Sequence, residues 1–343
     1  MRICTWAPTV FQGTQVVTGQ TRPTHIPSGV DLTALTTGLV QQYEQMGVSD
    51  LLIAQRWWGN GEEIEGSSLD CLAMTSLFAT CTTKMNLITA IHPGFFHPTV
   101  IAKWASTLQR LSGGRWSINV TSGWNMEEFD RYGIEQLTHD ERYIRSKEFI
   151  DILRLCWSQP TVDYQGRYYQ CSNMELIPQP EFPLDIFQGG QSPAAIAMAA
   201  EKSDWMFFNG GSLARIQALI EQVREACTKT NRQVRFAMYA QPLCRTSDDL
   251  AWAEIDQKLA SIDQSLVEKR RARVADGAKG MWHSEDPLSQ LDTNEGLAPR
   301  FIGSPDTIFD RIASYQALGI EMLHLDLSDA LFCSEVLPHL TNQ

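Results

Sequence analysis

The sequence predicts an α/β protein: one (β/α)8 TIM barrel with insertions. Two observations carry this. Short apolar, β-prone runs alternate with helical patterns eight times along the chain, the signature of a parallel sheet wrapped in helices. The Gly-rich turn follows the fifth run, not the first, and no G-x-G-x-x-G occurs. An open doubly wound sheet places that turn after its first strand. The 343 residues, 43% hydrophobic, are enough for one barrel-sized domain spanning 1–343.

The first strand is Ile3 to Ala7, and a Gly-, Thr- and Pro-rich loop follows from Gln12 to Gly29. Leu32, Leu35, Leu39, Tyr43 and Met46 recur at helical spacing, and Gly47 closes that helix as a C′ glycine does. Leu51 to Ala54 is strand two, Ser68 to Cys81 a helix, and Asn86 to Ile91 strand three. Pro98 opens the next helix, Val100, Trp104, Leu108 and Leu111 share one of its faces, and Gly113-Gly114 ends it. Trp116 to Val120 is strand four, and a long helix runs from about His139 to Trp157. The pattern then breaks near 158–182, where Tyr164 to Tyr169 reads as a small hairpin. Strand five is Leu184 to Phe187, strand six Trp205 to Phe208 and strand seven Arg235 to Leu243. One helix is expected from Ser247 to about Ala275, then a second insertion near 276–299. Helix Pro305–Leu318, strand Met322–Leu327 and helix Cys333–Leu340 complete the pattern.

Composition excludes several classes. The net charge is −12, and no basic stripe suits nucleic acid. The cluster Lys269, Arg270, Arg271 and Arg273 is flanked by acids and reads as a solvated helix face. Eight cysteines lie scattered with no C-x-x-C pair, which fits a reducing cytoplasm and no structural metal. No run approaches the ~20 apolar residues a membrane helix needs. A soluble cytoplasmic protein without a signal peptide is expected.

In a barrel, the chemistry sits at the C-terminal ends of the strands. That rule selects Trp6 after strand one, and Gln55, Arg56, Trp57 and Trp58 after strand two. It adds His92 after strand three, and Asn119 and Trp124 at and after strand four. Gly189, Gly190, Gln191 and Ser192 follow strand five, and Gln241 comes at the end of strand seven. Aromatics, glycines and neutral polar groups dominate this rim. Paired carboxylates for hydrolysis and a ligand trio for a metal are both missing. A planar cofactor that carries the difficult chemistry fits better.

Gly189-Gly190-Gln191-Ser192 joins a strand to a helix, so free N–H groups and the helix dipole face any anion placed there. The plainer alternative is a turn with Ser192 as N-cap. Thr138 and Glu141 have capping-box spacing, which leaves Arg142 and Tyr143 without a structural reason. His97, His139, His283, His324 and His339 have ordinary structural readings. His92, Trp124 and Asn119 are the candidates for the reacting centre.

At these segments a family resemblance emerges. Pro93 to Phe129, Thr138 to Trp157, Phe187 to Phe207 and Ile302 to Ile312 resemble the bacterial luciferase-like flavin-dependent monooxygenases. The resemblance is greatest to the group of alkanesulfonate, dimethylsulfone and pyrimidine monooxygenases. The motifs are S-G-G-R, N-V-x-x-G-W, H-D-E-R-Y and G-G-x-S, and all stand in this chain. The resemblance implies a two-component system. A separate NAD(P)H-dependent flavin reductase supplies FMNH2, O2 adds to give a (hydro)peroxyflavin, and one oxygen atom passes to a small molecule. It implies a flavin-binding set of Gln55, Arg56, Asn119, Glu128, Arg142, Tyr143 and Ser192, and a homodimer or homotetramer.

The departures bear on substrate. Sulfonate-specific members resemble an R-L-H pattern on strand seven, where this chain reads Met238-Tyr239-Ala240. A sulfonate would lack its charge-assisted partners. A small neutral substrate, organosulfur compounds included, is therefore expected in a pocket shaped by Trp6, Trp57, Trp58, Trp124, Met238 and Tyr239. The segment 276–296 is a hypothetical lid. The competing readings are a deazaflavin-dependent oxidoreductase on the same fold, a non-catalytic flavin-binding barrel, and an unrelated barrel enzyme.

Overall fold

A computed structural model shows eight parallel strands closed into a barrel. It describes residues 1–11, 16–18, 25–59, 66–277, 286–292 and 294–341, without the side chains of 273–277. The barrel strands are Arg2–Trp6, Asp50–Ile53, Asn86–Ile91, Trp116–Val120, Ile186–Gly189, Trp205–Phe208, Arg235–Ala240 and Ile320–Leu325. Each pairs with its sequence neighbour among these eight, and the last pairs with the first. The interposed helices are α1 (Gly29–Gln45), α2 (Cys71–Cys81), α3 (Pro98–Ser112), α4 (Met126–Arg131), α5 (His139–Ser158), α6 (Pro193–Lys202), α7 (Leu213–Thr230), α8 (Asp248–Ala260), α9 (Gln264–Gly277) and α10 (Pro305–Leu318).

Two-residue periodicity divides every strand between two cores. Cys4, Leu52, Ile88, Phe187, Trp205, Phe207, Ala237 and Met322 point inward and fill the barrel. Phe187 lies nearly flat on Trp205, with centroids 5.1 Å apart. The alternate residues, among them Ile3, Leu51, Ile53, Met206, Met238 and Leu323, pack outward against the helices.

Helix ends follow the local chemistry read from the sequence. Thr138 and Glu141 form the full capping box of α5, Pro98 sits in the first turn of α3, and Gly113 ends α3 at φ +67°. Two helical faces differ from expectation. In α3 the buried stripe runs through Ile101, Ala105 and Leu108, while Val100 and Leu111 are exposed. In α1 it runs through Thr36 and Val40. Several faces of these short helices carry apolar residues, and contact with the sheet selects one.

Other boundaries move as well. Strand five starts two residues later than expected, which makes Gly189 its last residue. Strand seven stops at Ala240, and Leu243–Cys244 instead pairs with Ile302–Gly303 in a separate small sheet. The single helix expected over Ser247–Ala275 is two. The Asp263 carboxylate turns back to the Ser265 N–H at 2.9 Å, and Ile262 bridges to Val17. The terminal helix is likewise two pieces, Ala330–Glu335 and Leu337–Thr341. The hairpin insertion is present as Val162–Gln165 paired with Gln170–Met174. Residues 12–15 and 19–24 of the first loop, and 278–285 and 293 of the hypothetical lid, lie outside the described residues.

The N-terminal end of the barrel serves stability. There Arg115 donates to the carbonyls of Ala79, Thr82, Met85 and Ser112 at 2.8–3.1 Å. One guanidinium thus satisfies the end of α2 and the loop beyond it. Replacing Arg115 by Met should lower the unfolding free energy by about 2 kcal/mol, read by denaturant titration. Ligand affinity at the opposite rim should be unchanged, and a loss there would contradict the division between the two ends.

Candidate active site

The carboxyl ends of the strands enclose an open cavity. Its geometry has two distinct parts. At one end, strand five runs through Gly190 into Ser192, the N-cap of α6, whose hydroxyl accepts the Ala195 N–H at 3.2 Å. The second turn of α5 brings Tyr143 onto this turn, with its hydroxyl against Gly190 and near Ser192. Gly190 has φ +123°, and a Cβ there would stand 2.9 Å from the Tyr143 hydroxyl and 3.0 Å from the Ala195 Cβ. Only glycine allows this approach. Burial raises the Tyr143 pKa, so the phenol stays a neutral donor. Two hydroxyls and the positive end of the α6 dipole therefore converge where an anion can sit.

At the other end, Trp6, Phe207 and Tyr239 surround His324. The His324 ring centroid lies 4.2 Å from Trp6, 5.3 Å from Tyr239 and 5.8 Å from Phe207. Its Nε2 is buried without a hydrogen-bond partner among the described residues. Asn119 Oδ1, from strand four, is in the same condition. No Asp, Glu, Lys or Arg lines the cavity among the described residues.

Trp6, Asn119, Trp124, Tyr143, Gly189, Gly190, Gln191 and Tyr239 all line this one cavity, and Ser192 joins them through Tyr143. The other sequence-selected residues lie outside its lining. Gln55 caps the start of α2, accepting the Cys71 N–H at 2.8 Å and donating to the Ser68 hydroxyl at 3.2 Å. Arg56 lies over the Trp124 ring at 4.8 Å and acts behind the wall. Trp57 stacks on Phe95 at 4.6 Å, and Trp58 lies under Arg131 at 3.9 Å. Glu128 is buried within α4. Arg142 is also buried and donates to the Leu137 carbonyl at 3.0 Å, away from the anion turn. Met238 points into the outer core, because its neighbour Tyr239 takes the inward phase. His92 is buried beneath the rim, 6.0 Å from Phe95.

Two cavity histidines were not expected. His139 lines the cavity beside Tyr143, with its Nδ1 on Asp140 at 2.6 Å. His324 is the other. Phase was the available signal: it stands two residues beyond Met322, on the inward face of the last strand.

Residues 1–322 match the family model for luciferase-like monooxygenases. A dimethylsulfone monooxygenase of Pseudomonas fluorescens (strain Pf0-1), described as FMNH2-dependent, is 33% identical over 82% of this chain and 79% of its own length. One of the same description from Pseudomonas putida is 32% identical over 78% of each. A long-chain alkane monooxygenase structure superposes with a TM-score of 0.78 over 99% of this chain and 91% of its own, at 16% identity. The fold and site define a flavin-type barrel enzyme. The chain belongs to the luciferase-like monooxygenase family.

Burial holds both His92 and His324 down to about 3, with the nearby Arg56 charge adding to the effect at His92. Their unfolded counterparts titrate near pH ~6.5. Between those values the unfolded chain binds more protons than the folded one. Stability therefore falls as pH drops from ~6.5 towards ~3, and these groups add no slope above ~6.5. Melting temperatures followed down this range should fall less steeply in a His92→Gln, His324→Gln variant than in the parent. Equal slopes would show that neither ring is buried neutral.

Proposed function

We propose that this monooxygenase uses reduced FMN and O2 to oxygenate a small uncharged substrate of the sulfone type. The observation that carries the proposal is a neutral cavity continuous with an anion-binding turn. FMN has a matching shape: an anionic phosphate at one end and a flat, uncharged ring system at the other. The residues fit it. Tyr143, Ser192 and the start of α6 hold the phosphate, the bare Gly190 admits it, and Asn119 Oδ1 accepts from the ring or the ribityl chain. When bound, the reduced flavin supplies the two electrons that activate O2.

The chain supplies position and dryness. Trp6, Phe207 and Tyr239 exclude water from the deep end. His324 stays neutral there and offers one N–H donor without a charge. A sulfone presents strong acceptor oxygens and no net charge, so such donors suffice. A sulfonate needs a cation, and none lines the cavity among the described residues. The Pseudomonas relatives are described as acting on dimethylsulfone, in accord with this choice. A separate NAD(P)H-dependent flavin reductase would deliver the reduced cofactor.

The test is turnover under 18O2 with FMN, a flavin reductase and NADH, offering dimethylsulfone and methanesulfonate in parallel. Label in the product and substrate-dependent oxygen uptake are expected with the sulfone, with turnover ~10-fold or more above the sulfonate, the worth of one charge-assisted contact. Preference for the sulfonate would overturn the substrate class. Substrate reduction or oxidation without oxygen consumption would point to a deazaflavin-type hydride transfer instead.

A further inference from the structure

Gln191 has its two amide ends in different environments. Its Oε1 accepts from Arg215 at 2.7 Å. Its Nε2 is buried without a partner among the described residues, and the residue lines the cavity. A guanidinium donates and never accepts. The carboxamide therefore has one allowed orientation: oxygen towards Arg215, NH2 turned away from it.

Arg215 is itself held. Its NH1 group reaches the two carboxylate oxygens of Glu295 at 3.2 and 3.0 Å, and the Glu295 side chain is fully buried. Glu295 adopts φ +55°, a left-handed conformation that non-glycine residues keep only where surroundings enforce it. Those surroundings are visible. Gly210 N–H donates to the Asn294 carbonyl at 2.8 Å, and Gln241 N–H to the Gly296 carbonyl at 2.7 Å. A Cβ on Gly210 would stand 1.9 Å from the Glu295 carbonyl oxygen. The segment lies on the ends of strands six and seven, and Asn294 lines the cavity.

We infer that Arg215 is a positioning residue: through Glu295 and Gln191 it presents a fixed amide donor to an anionic oxygen of a phosphorylated ligand. This rests on the FMN reading above. Gln191 stands between Gly190 and Ser192 and lines the same cavity as Tyr143, and we assign its Nε2 to the donors for the phosphate. The arrangement also explains how a dianion is bound where no Lys or Arg lines the cavity among the described residues. Arg215 polarises the amide from behind, and the hydrogen-bond chain strengthens the outer donor. The positive charge acts through the amide, and Glu295 keeps it from raising the field across the neutral end of the cavity.

The test is a double-mutant cycle on FMN affinity, read by quenching of flavin fluorescence, with riboflavin as the ligand lacking phosphate. Gln191→Leu and Arg215→Gln should each weaken FMN binding by about tenfold, the size of one hydrogen bond to a charged group. Arg215→Gln should add little in the Gln191→Leu background, and riboflavin affinity should move far less. Additive losses, or equal losses for both ligands, would reduce Arg215 to a structural support and overturn the inference. Gln191→Glu guards against misfolding, since its carboxylate still accepts from Arg215 but has no donor. It should keep the parent melting temperature and lose FMN affinity; parent-like FMN affinity would also overturn the inference. A parent chain that binds no FMN would remove the cofactor reading and this relay together. A parent that binds FMN with an additive cycle would remove the relay alone.

Discussion

The site depends on one packing event: Tyr143 laid against Gly190 and Ser192. The second turn of α5 and the end of strand five are almost fifty residues apart in sequence, with the hairpin insertion between them. Barrel closure sets strand five beside strand four, and α5 packs against α3 and α6. The capping box then fixes where α5 begins, and hence how far Tyr143 reaches. A side chain at 190 would push the phenol off this turn, since a Cβ there would stand 2.9 Å from its hydroxyl. The anion turn is thus assembled from tertiary packing as much as from the G-G-x-S motif.

A second constraint is charge. The cavity itself carries none among the described residues, yet arginines stand directly behind it. Arg56, itself outside the lining, lies over the Trp124 ring, and Arg215 donates to Gln191. Placed so, they polarise the wall without presenting a bare cation to the ligand. In a low-dielectric site, a bare cation would attract anionic competitors and favour sulfonates over sulfones. The burial that keeps His324 neutral works in the same direction.

Much of the fold was legible because its signals are local. Strand runs, the Thr138–Glu141 cap and the Gly47 and Gly113 stops each follow from a few neighbouring residues. The helix break at 261–263 was not legible, because it is enforced by a contact with Val17 far away in sequence. In the site, Tyr239 was named through the family resemblance, while the rim rule found Trp6, Asn119, Trp124 and Gly189–Ser192. Both failed where chain position near a strand end did not settle side-chain direction. Met238 and Tyr239 are adjacent, yet only Tyr239 faces in. Gln55 and Arg142 carry suitable chemistry but direct it to the α2 start and to the Leu137 carbonyl. His324 was passed over because one histidine in an apolar strand looks like core until its phase is known. The Glu295–Arg215–Gln191 chain joins three distant segments, and nothing short of the fold brings them together.

The most direct test of the account is a crystal structure of the chain with FMN. The account places the phosphate within hydrogen-bond distance of the Tyr143 and Ser192 hydroxyls, at the start of α6, with the ring extending towards Trp6 and His324. A phosphate found instead beside Arg56 or Arg142, with the Gly190 turn empty, would contradict it.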